Sequence, residues 1–466
     1  MELNEKVYKL LEEIDQEKLK VFIIKECAKD SSFAHRFLAL GNETIFPVNS
    51  SDYRDRINKL IDKYGDRDGF INYNRSFEFS QEVFDILEEA DAAIAEERWN
   101  TAVAALTGIV NMSRDIIENC DDSAGCLGEV IDNCFERWVD LSLSDLPVRF
   151  RNEIFNLSLK MFKEKHLEGW DWWWKWMEIA VNLADSEEKR NQVFHVLDST
   201  DTEAEHDLHR RHVKEQIATY KLKLIRLAKD NDQALRFMYD NMSIPSIRKE
   251  LLEYLWQLKE YDEILKIAED GVKTDQKWER HTNEWLVWKF KVYRLTNDSE
   301  KTLALARYFF LENSFFCQNV FSQDELYSLI KSLVPTDKWT DYVEGLLLEG
   351  RNHPQHDHSL YIYEKEKMWD SYIGYLKEHP STQIIDHAPQ EVKQKYKETL
   401  IDLYAIEVSK FFQAALGRNQ YKHGVDLLNK LILLGGKEKA LQIKTGQIQR
   451  TPRRPALIDE LSKLKI

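Results

Sequence analysis

The sequence is poor in the residues that interrupt regular structure. Its 466 residues include only 9 prolines and 16 glycines, too few for the many tight turns that a protein of short strands requires. Long helices with brief connections suit this composition, so we predict an all-α protein. Hydrophobic residues make up 43% of the chain, which is enough for an extended core that needs no cofactor to fold.

Cysteine is also scarce. The five cysteines are odd in number, widely scattered and contain no Cys-x-x-Cys pair; they are Cys27, Cys120, Cys126, Cys134 and Cys317. This spacing excludes a dense disulfide framework and a zinc knuckle and fits a reducing compartment. We predict that Cys120, Cys126 and Cys134 are small buried side chains. The N-terminus is charged and amphipathic, and no apolar run is long enough to cross a bilayer. We expect a soluble cytoplasmic protein with no membrane partner.

The chain also lacks an excess of positive charge. The formal net charge is −16, so a phosphate backbone would mostly be repelled, because nucleic-acid affinity depends on Lys and Arg displacing counterions. Non-specific binding of DNA or RNA is therefore disfavoured, although a local basic patch is not excluded.

Signatures of catalysis and metal binding are absent too. No Gly-x-Ser-x-Gly, kinase or dinucleotide motif occurs, and residues 435–437 lack the first glycine and the closing Ser or Thr of a phosphate-binding loop. We predict no catalytic residue, no metal ligand and no cofactor.

Two groups of histidines are candidate metal sites. His206, His209 and His212 recur every three residues, which spreads them around a helix, whereas zinc ligands on one helix usually lie four apart. A second group, His353, His356 and His358, crowds a segment that also contains Asp357. That group could converge on a cation or form a polar connection between repeats.

What the chain does contain is a recurring helical part. Tyr261 is followed at helical spacing by Ile264, Leu265 and Ala268, and Gly271 stands where this helix should stop. The same aromatic and apolar spacing begins at Trp99, Trp339, Trp369 and Tyr421. Each copy follows an upstream helix, so the unit is a helical hairpin. Stacked hairpins predict a right-handed α-solenoid, tetratricopeptide-like with irregular repeats.

Changes in periodicity divide the chain into five predicted parts. They are an N-terminal helical segment (1–40), a linker or lid rich in Gly, Asn, Asp and Pro (41–80), a first helical-repeat half (81–245), a second half (246–450) and a C-terminal capping helix (451–466). We expect the last part to cover the apolar face that a final hairpin leaves exposed.

The densest aromatic segment of the chain is WDWWWKWM. It contains Trp170, Trp172, Trp173, Trp174 and Trp176, which occupy two stripes of one helix. Either this helix is buried between neighbours on both faces, or it exposes an aromatic patch, since Trp is enriched at interface hot spots. These five tryptophans are our candidate partner-binding residues.

Three short segments resemble a known family. The sequence DQEKLK at residues 15–20, running on through Ile23, Ile24, Ala28 and Phe37, is similar to the helix that follows the zinc finger in bacterial SWIM zinc-finger proteins. Residues 453–461 resemble the closing Pro-Ala-Leu and Asp-Glu-Leu segment of that family, and residues 121–128 resemble a turn in its helical region. The finger itself, Cys-x-Cys followed by Cys-x-His, is absent. The resemblance therefore implies the helical scaffold alone: either the chain is a stand-alone relative, or a separate chain supplies the finger.

These observations favour a non-catalytic helical-repeat scaffold that binds a protein or peptide partner on an extended surface. The first alternative is a nucleic-acid-associated adaptor, suggested by the family resemblance and by a basic tail of Lys437, Lys439, Lys444, Arg450, Arg453 and Arg454. The second alternative is an enzyme whose site is assembled from distant residues. The sequence specifies neither the partner nor the oligomeric state.

Overall fold

The computed structural model describes residues 13–29, 49–200, 207–312, 319–352, 357–450 and 454–464, together with positions 10, 11, 33 and 37. These residues form 24 α-helices, one short 3-10 helix and no strand, which confirms the prediction of an all-α protein. The chain divides into two compact units, Met1–Leu258 and Lys259–Ile466. No helix in the described ranges is both long and apolar enough to span a membrane.

The first unit contains eleven of these helices. They are α1 (Gln16–Lys29), α2 (Ser50–Tyr64), α3 (Tyr73–Ala95), α4 (Trp99–Glu118), α5 (Cys126–Leu143), α6 (Val148–Lys163), α7 (Trp172–Asn182), α8 (Glu187–Asp198), α9 (Asp207–Leu227), α10 (Asn231–Asp240) and α11 (Pro245–Leu258).

The second unit contains the other thirteen. They are α12 (Tyr261–Thr274), α13 (Glu279–Leu295), α14 (Ser299–Glu312), α15 (Gln323–Leu333), α16 (Trp339–Asn352), α17 (Ser359–Lys365), α18 (Trp369–Glu378), α19 (Thr382–His387), α20 (Gln390–Lys395), α21 (Lys397–Ala414), α22 (Arg418–Leu434), α23 (Lys437–Arg450) and α24 (Pro455–Ser462). The 3-10 helix Thr336–Lys338 precedes α16.

Packing is mostly local in the sequence. Within each unit, a helix generally packs against the next helix or the next but one, as α3 does with α4 and α5, and α13 with α14. The apolar residues of the recurring pattern lie in these contacts: Leu106, Leu346, Leu376 and Leu428 are all fully buried. The recurring aromatic and apolar spacing thus lies on helices whose apolar stripe faces a neighbour.

Several hairpins share one kind of turn. In the connections α3–α4, α9–α10, α13–α14 and α17–α18, a residue with a left-handed backbone lies two positions before the next helix begins. These residues are Glu97, Lys229, Asn297 and Lys367, with φ between 54° and 59°. The same conformation occurs at Lys259, two residues before Tyr261. One local geometry therefore recurs along the chain.

Residues 49–80, the described part of the segment predicted as a linker or lid, contribute to the core of the first unit. Helix α2 buries Tyr53, Ile57 and Leu60, and the Arg56 guanidinium pairs with Glu89 of α3 at 2.6 Å, both side chains being buried. Helix α3 begins at Tyr73, within this segment. Turn-forming residues flank α2, but the helix itself carries apolar residues at helical spacing, and these residues are buried.

A carboxylate connects three helices of the second unit. Glu366, which follows α17, accepts hydrogen bonds from the Tyr327 hydroxyl (3.0 Å), the Lys331 ammonium (2.8 Å) and the Trp339 indole (3.0 Å). Burial opposes ionisation of Glu366, but these three donors outweigh it and hold the pKa of the carboxyl below its usual value. Glu366 therefore joins α15, α16 and α17 in its charged form.

The last described helix, α24, packs against α22. Leu457, Leu461 and Leu464 are buried there. Glu460 is also buried and pairs with the Arg418 Nε at 3.1 Å. The apolar residues of this segment thus face the body of the second unit.

Candidate peptide-binding groove

The tryptophan-rich segment lies largely inside the first unit. Trp172, Trp173, Trp174 and Trp176 begin α7 and are buried, whereas Trp170 precedes the helix and is 51% exposed. Of the two alternatives for this helix, burial on both faces therefore describes four of the five rings. Trp170 is the member that could meet a partner without rearrangement.

The buried rings hold α7 between its neighbours. Trp173 stacks on Phe162 of α6 at 4.6 Å between ring centroids, and its indole N–H donates to the Phe162 carbonyl at 3.0 Å. Trp172 donates to the Asp132 carboxylate of α5 at 2.6 Å. Trp174 stacks on Tyr220 of α9. These contacts give the tryptophans a structural role in the core.

The histidine groups do not assemble a metal site within the described ranges, where no cluster of three His, Cys, Asp or Glu side chains could hold an ion. His358 is buried and already uses both ring nitrogens: Nδ1 lies 3.1 Å from the Gln323 amide nitrogen and Nε2 lies 3.0 Å from the Leu311 carbonyl. That pattern is typical of a structural histidine. His206, His353 and His356 lie outside the described residues.

The described cysteines are free thiols. Cys120 and Cys134 are buried, as predicted, while Cys27 and Cys126 are partly buried. Burial, followed by the nearby Asp122 and Asp121, raises the pKa of Cys120 to about 11, and burial raises the pKa of Cys134 further. Cys120 and Cys134 therefore stay protonated and unreactive near neutral pH. Cys317 lies outside the described residues.

Asp122 explains the turn at residues 121–128. Its carboxylate accepts the backbone N–H groups of Leu127 and Gly128 at 2.9 and 2.8 Å, at the start of α5. Gly125 supplies the left-handed backbone, with φ of 75°. The turn thus starts α5: the Asp122 carboxylate caps the first N–H groups of the helix, and Gly125 adopts the left-handed backbone that the turn requires.

A groove of about 470 Å³ lies where α2, α4 and α6 meet. Its floor is apolar and is formed by Val103 and Ala104 of α4 with Phe150 and Ile154 of α6. We call this cavity the α2–α4–α6 groove. Its volume is in the range of ligand-binding clefts.

The rim of the groove is polar. Arg149 and Glu153 are exposed and lie one turn apart on α6, while Asn100 and Thr107 of α4 are partly buried. Asn49 and Ser50, at the start of α2, complete the lining. The rim therefore presents donors and acceptors of both charges around an apolar floor, an arrangement suited to a peptide main chain and one apolar side chain.

Small residues on α4 create the close packing at this point. A Cβ placed on Gly108 would lie 2.5 Å from the Tyr53 Cβ and 3.4 Å from the Ser50 carbonyl. The glycine thus allows α2 to approach α4 closely, and this approach places Ser50 at the edge of the groove. Sequence reasoning missed the site, although a run of small buried residues at Ala102, Ala104, Ala105 and Gly108 marked the contact.

The basic tail is partly occupied by contacts within the second unit. Lys439 pairs with Asp402 at 2.7 Å, and the Arg454 guanidinium donates to the Ala415 carbonyl at 3.2 Å. Lys437 and Arg450 are exposed, whereas Arg453 lies outside the described residues.

Comparison of the chain with protein-family profiles, curated proteins and solved structures finds no match. The resemblance to the helical region of SWIM zinc-finger proteins therefore remains a prediction.

Proposed function

We propose that this chain is a non-catalytic scaffold of stacked helical hairpins, a right-handed tetratricopeptide-like α-solenoid, that binds a peptide segment of a protein partner in the α2–α4–α6 groove. The groove is the observation that carries the proposal. It combines an apolar floor with a rim that contains Arg149 and Glu153, so it can hold an apolar side chain while the rim pairs with the polar groups of the peptide.

The local packing supports the scaffold part of the proposal. Helices pack against their neighbours in sequence, and one left-handed turn recurs in four hairpins. Proteins built in this way bury each hairpin against the next and leave extended surfaces for partners. Such surfaces need no reactive side chain.

The test is selection of binders from a displayed library of random twelve-residue peptides, followed by affinity measurement with the enriched peptide. Thr107→Trp places a large ring in the α2–α4–α6 groove, whereas Asn111→Trp adds the same ring to an exposed position one turn along α4. We expect Thr107→Trp to weaken binding at least about tenfold, or about 1.4 kcal/mol. The Asn111→Trp control should bind like the parent.

Melting temperatures of both variants must equal that of the parent for this comparison. A second variant, Arg149→Glu, reverses an exposed rim charge whose guanidinium lies 5.5 Å from the centre of the Phe150 ring, so it should alter which peptides are enriched. Equal affinity of the parent and Thr107→Trp, or enrichment of no peptide at all, would overturn the proposal.

A further inference from the structure

The second unit contains a cleft of about 400 Å³ between α19, α20, α21 and α22. Its lining includes Asp386, His387, Lys393, Tyr404, Lys430 and Leu433. We call it the Asp386 cleft. It lies within the second unit, so the inference drawn from it goes beyond the peptide-binding role proposed for the first unit and does not depend on that role.

One residue organises the cations of this cleft. The Asp386 carboxylate accepts the Lys430 ammonium at 2.7 Å and the Tyr404 hydroxyl at 3.0 Å, while the Asp386 backbone carbonyl accepts the Lys393 ammonium at 2.7 Å. The side chain of Asp386 therefore holds one ammonium group, and its backbone carbonyl holds the other. Tyr404 is buried and stays protonated, because burial and the neighbouring Asp386 both raise its pKa.

These contacts leave donors available in the cleft. An ammonium group carries three N–H donors, and one from each lysine is used by Asp386. The Lys430 side chain is about half exposed, and His387 is exposed. Two lysines face one carboxylate here, so the Asp386 cleft carries net positive charge in a chain whose formal net charge is −16.

The other side of the cleft is apolar. Ile385 and Leu434 line it, and Leu433 is 86% exposed at its edge. A single exposed leucine is ordinary on a protein surface. Here, however, Leu433 lies beside the two lysines that bind Asp386. A ligand could therefore contact an apolar side chain and a cation side by side.

We propose that the Asp386 cleft binds a short acidic peptide, with a carboxylate between Lys393 and Lys430 and an adjacent apolar side chain against Leu433. A charge-assisted hydrogen bond from each lysine would hold the carboxylate. The volume suits a few side chains. A polyanion such as a nucleic acid fits less well, because the acidic remainder of the chain repels an extended run of phosphates.

The experiment uses the full chain and a library of random hexapeptides with free C-termini. Parent protein should enrich peptides in which Asp, Glu or the terminal carboxylate adjoins Leu, Ile, Val or Phe. The most enriched peptide is then labelled with fluorescein, and its affinity is measured by anisotropy. We expect Lys393→Ala and Lys430→Ala each to weaken binding at least about fivefold, and higher salt to weaken it further.

Lys422→Ala is the matched control, since Lys422 is an exposed lysine on α22 that does not line the Asp386 cleft. It should bind like the parent, and all three variants should melt like the parent. Enrichment without acidic groups, or equal affinity of the parent and Lys430→Ala, would overturn the inference. Displacement of the labelled peptide by millimolar inorganic phosphate would also overturn it, by showing a simple oxyanion site.

The two proposals fail separately. Thr107→Trp should leave acidic-peptide binding unchanged, and Lys430→Ala should leave the ligand of the α2–α4–α6 groove unchanged.

Discussion

Trp173→Ala tests whether the tryptophan-rich segment is structural. The ring is 5% exposed, stacks on Phe162 at 4.6 Å and donates to the Phe162 carbonyl at 3.0 Å. Alanine removes the stacking and the hydrogen bond and leaves a cavity between α6 and α7. Replacing a buried Trp by Ala in this way costs about 3–5 kcal/mol, a large share of the roughly 5–15 kcal/mol that stabilises a typical domain.

Urea unfolding, followed by circular dichroism and by tryptophan fluorescence, measures this loss. With a slope of about 2–3 kcal/mol per molar urea, the midpoint should fall by about 1–2.5 M. The two units can unfold in separate steps, so the step to compare is the one that the substitution shifts.

Trp170→Ala is the matched control. Trp170 is half exposed and stacks on Trp172 at 5.2 Å, so its loss should cost at most about 1 kcal/mol. Equal midpoints for the two variants would refute the reasoning. A Trp173→Ala variant that keeps the parent midpoint but loses a bound partner would show instead that this ring lies on an interaction surface.

Four further outcomes follow from individual contacts. Glu366→Gln removes a carboxyl whose pKa is lowered in the folded state, and such a group stabilises the fold above its unfolded pKa of about 4.3. The variant should therefore be less stable at neutral pH and lose less stability than the parent on acidification below about pH 5, as urea midpoints across that range will show. Gly108→Ala should cost about 1–3 kcal/mol by overpacking against α2, whereas Gly374→Ala, with open space around the new methyl group, should be neutral or stabilising in a thermal melt. Deleting residues 451–466 should expose the face of α22 that α24 covers and lower both solubility and melting temperature; an unchanged melt with a lost interaction would mark the tail as a binding arm. Elemental analysis of protein purified without chelator should find no stoichiometric zinc, and one zinc per chain would contradict this expectation.

The helical class could be predicted because it depends on composition and short-range spacing. Few prolines and glycines, together with aromatics at helical spacing, located helix starts at Trp99, Tyr261, Trp339 and Trp369, and the structure begins a helix at each of them. Such signals span a few residues, which is the range over which a single sequence is informative.

The α2–α4–α6 groove could not be predicted in this way. Its lining comes from residues as far apart as Asn49 and Leu157, and no local pattern specifies which helices meet. The Asp386 cleft presents the same difficulty, since Lys430 reaches a carboxylate 44 positions earlier in the chain. Both depend on tertiary packing, which composition and periodicity do not encode.

Helix α12 ends later than the sequence predicts, and the difference has a physical cause. Gly271 was expected to stop this helix, yet it is buried and α12 continues to Thr274 because the Asp275 N–H still bonds the Gly271 carbonyl at 2.9 Å. In several hairpins the left-handed position after a helix is instead filled by Glu, Lys or Asn, at a cost of about 1–2 kcal/mol each relative to a right-handed conformation.

Backbone hydrogen bonds offset that cost. The N–H of Arg98 donates to the Ala93 carbonyl at 2.8 Å, and the N–H of Met368 donates to the Tyr363 carbonyl at 2.8 Å. Each bond reaches back five residues and satisfies a carbonyl at the end of the helix. The turn can therefore form without glycine. Helix ends in these hairpins follow the hydrogen-bond pattern and the start of the next helix. Elsewhere a glycine does end a helix, as Gly435 ends α22 with φ of 108°, or allows a close contact, as Gly108 does.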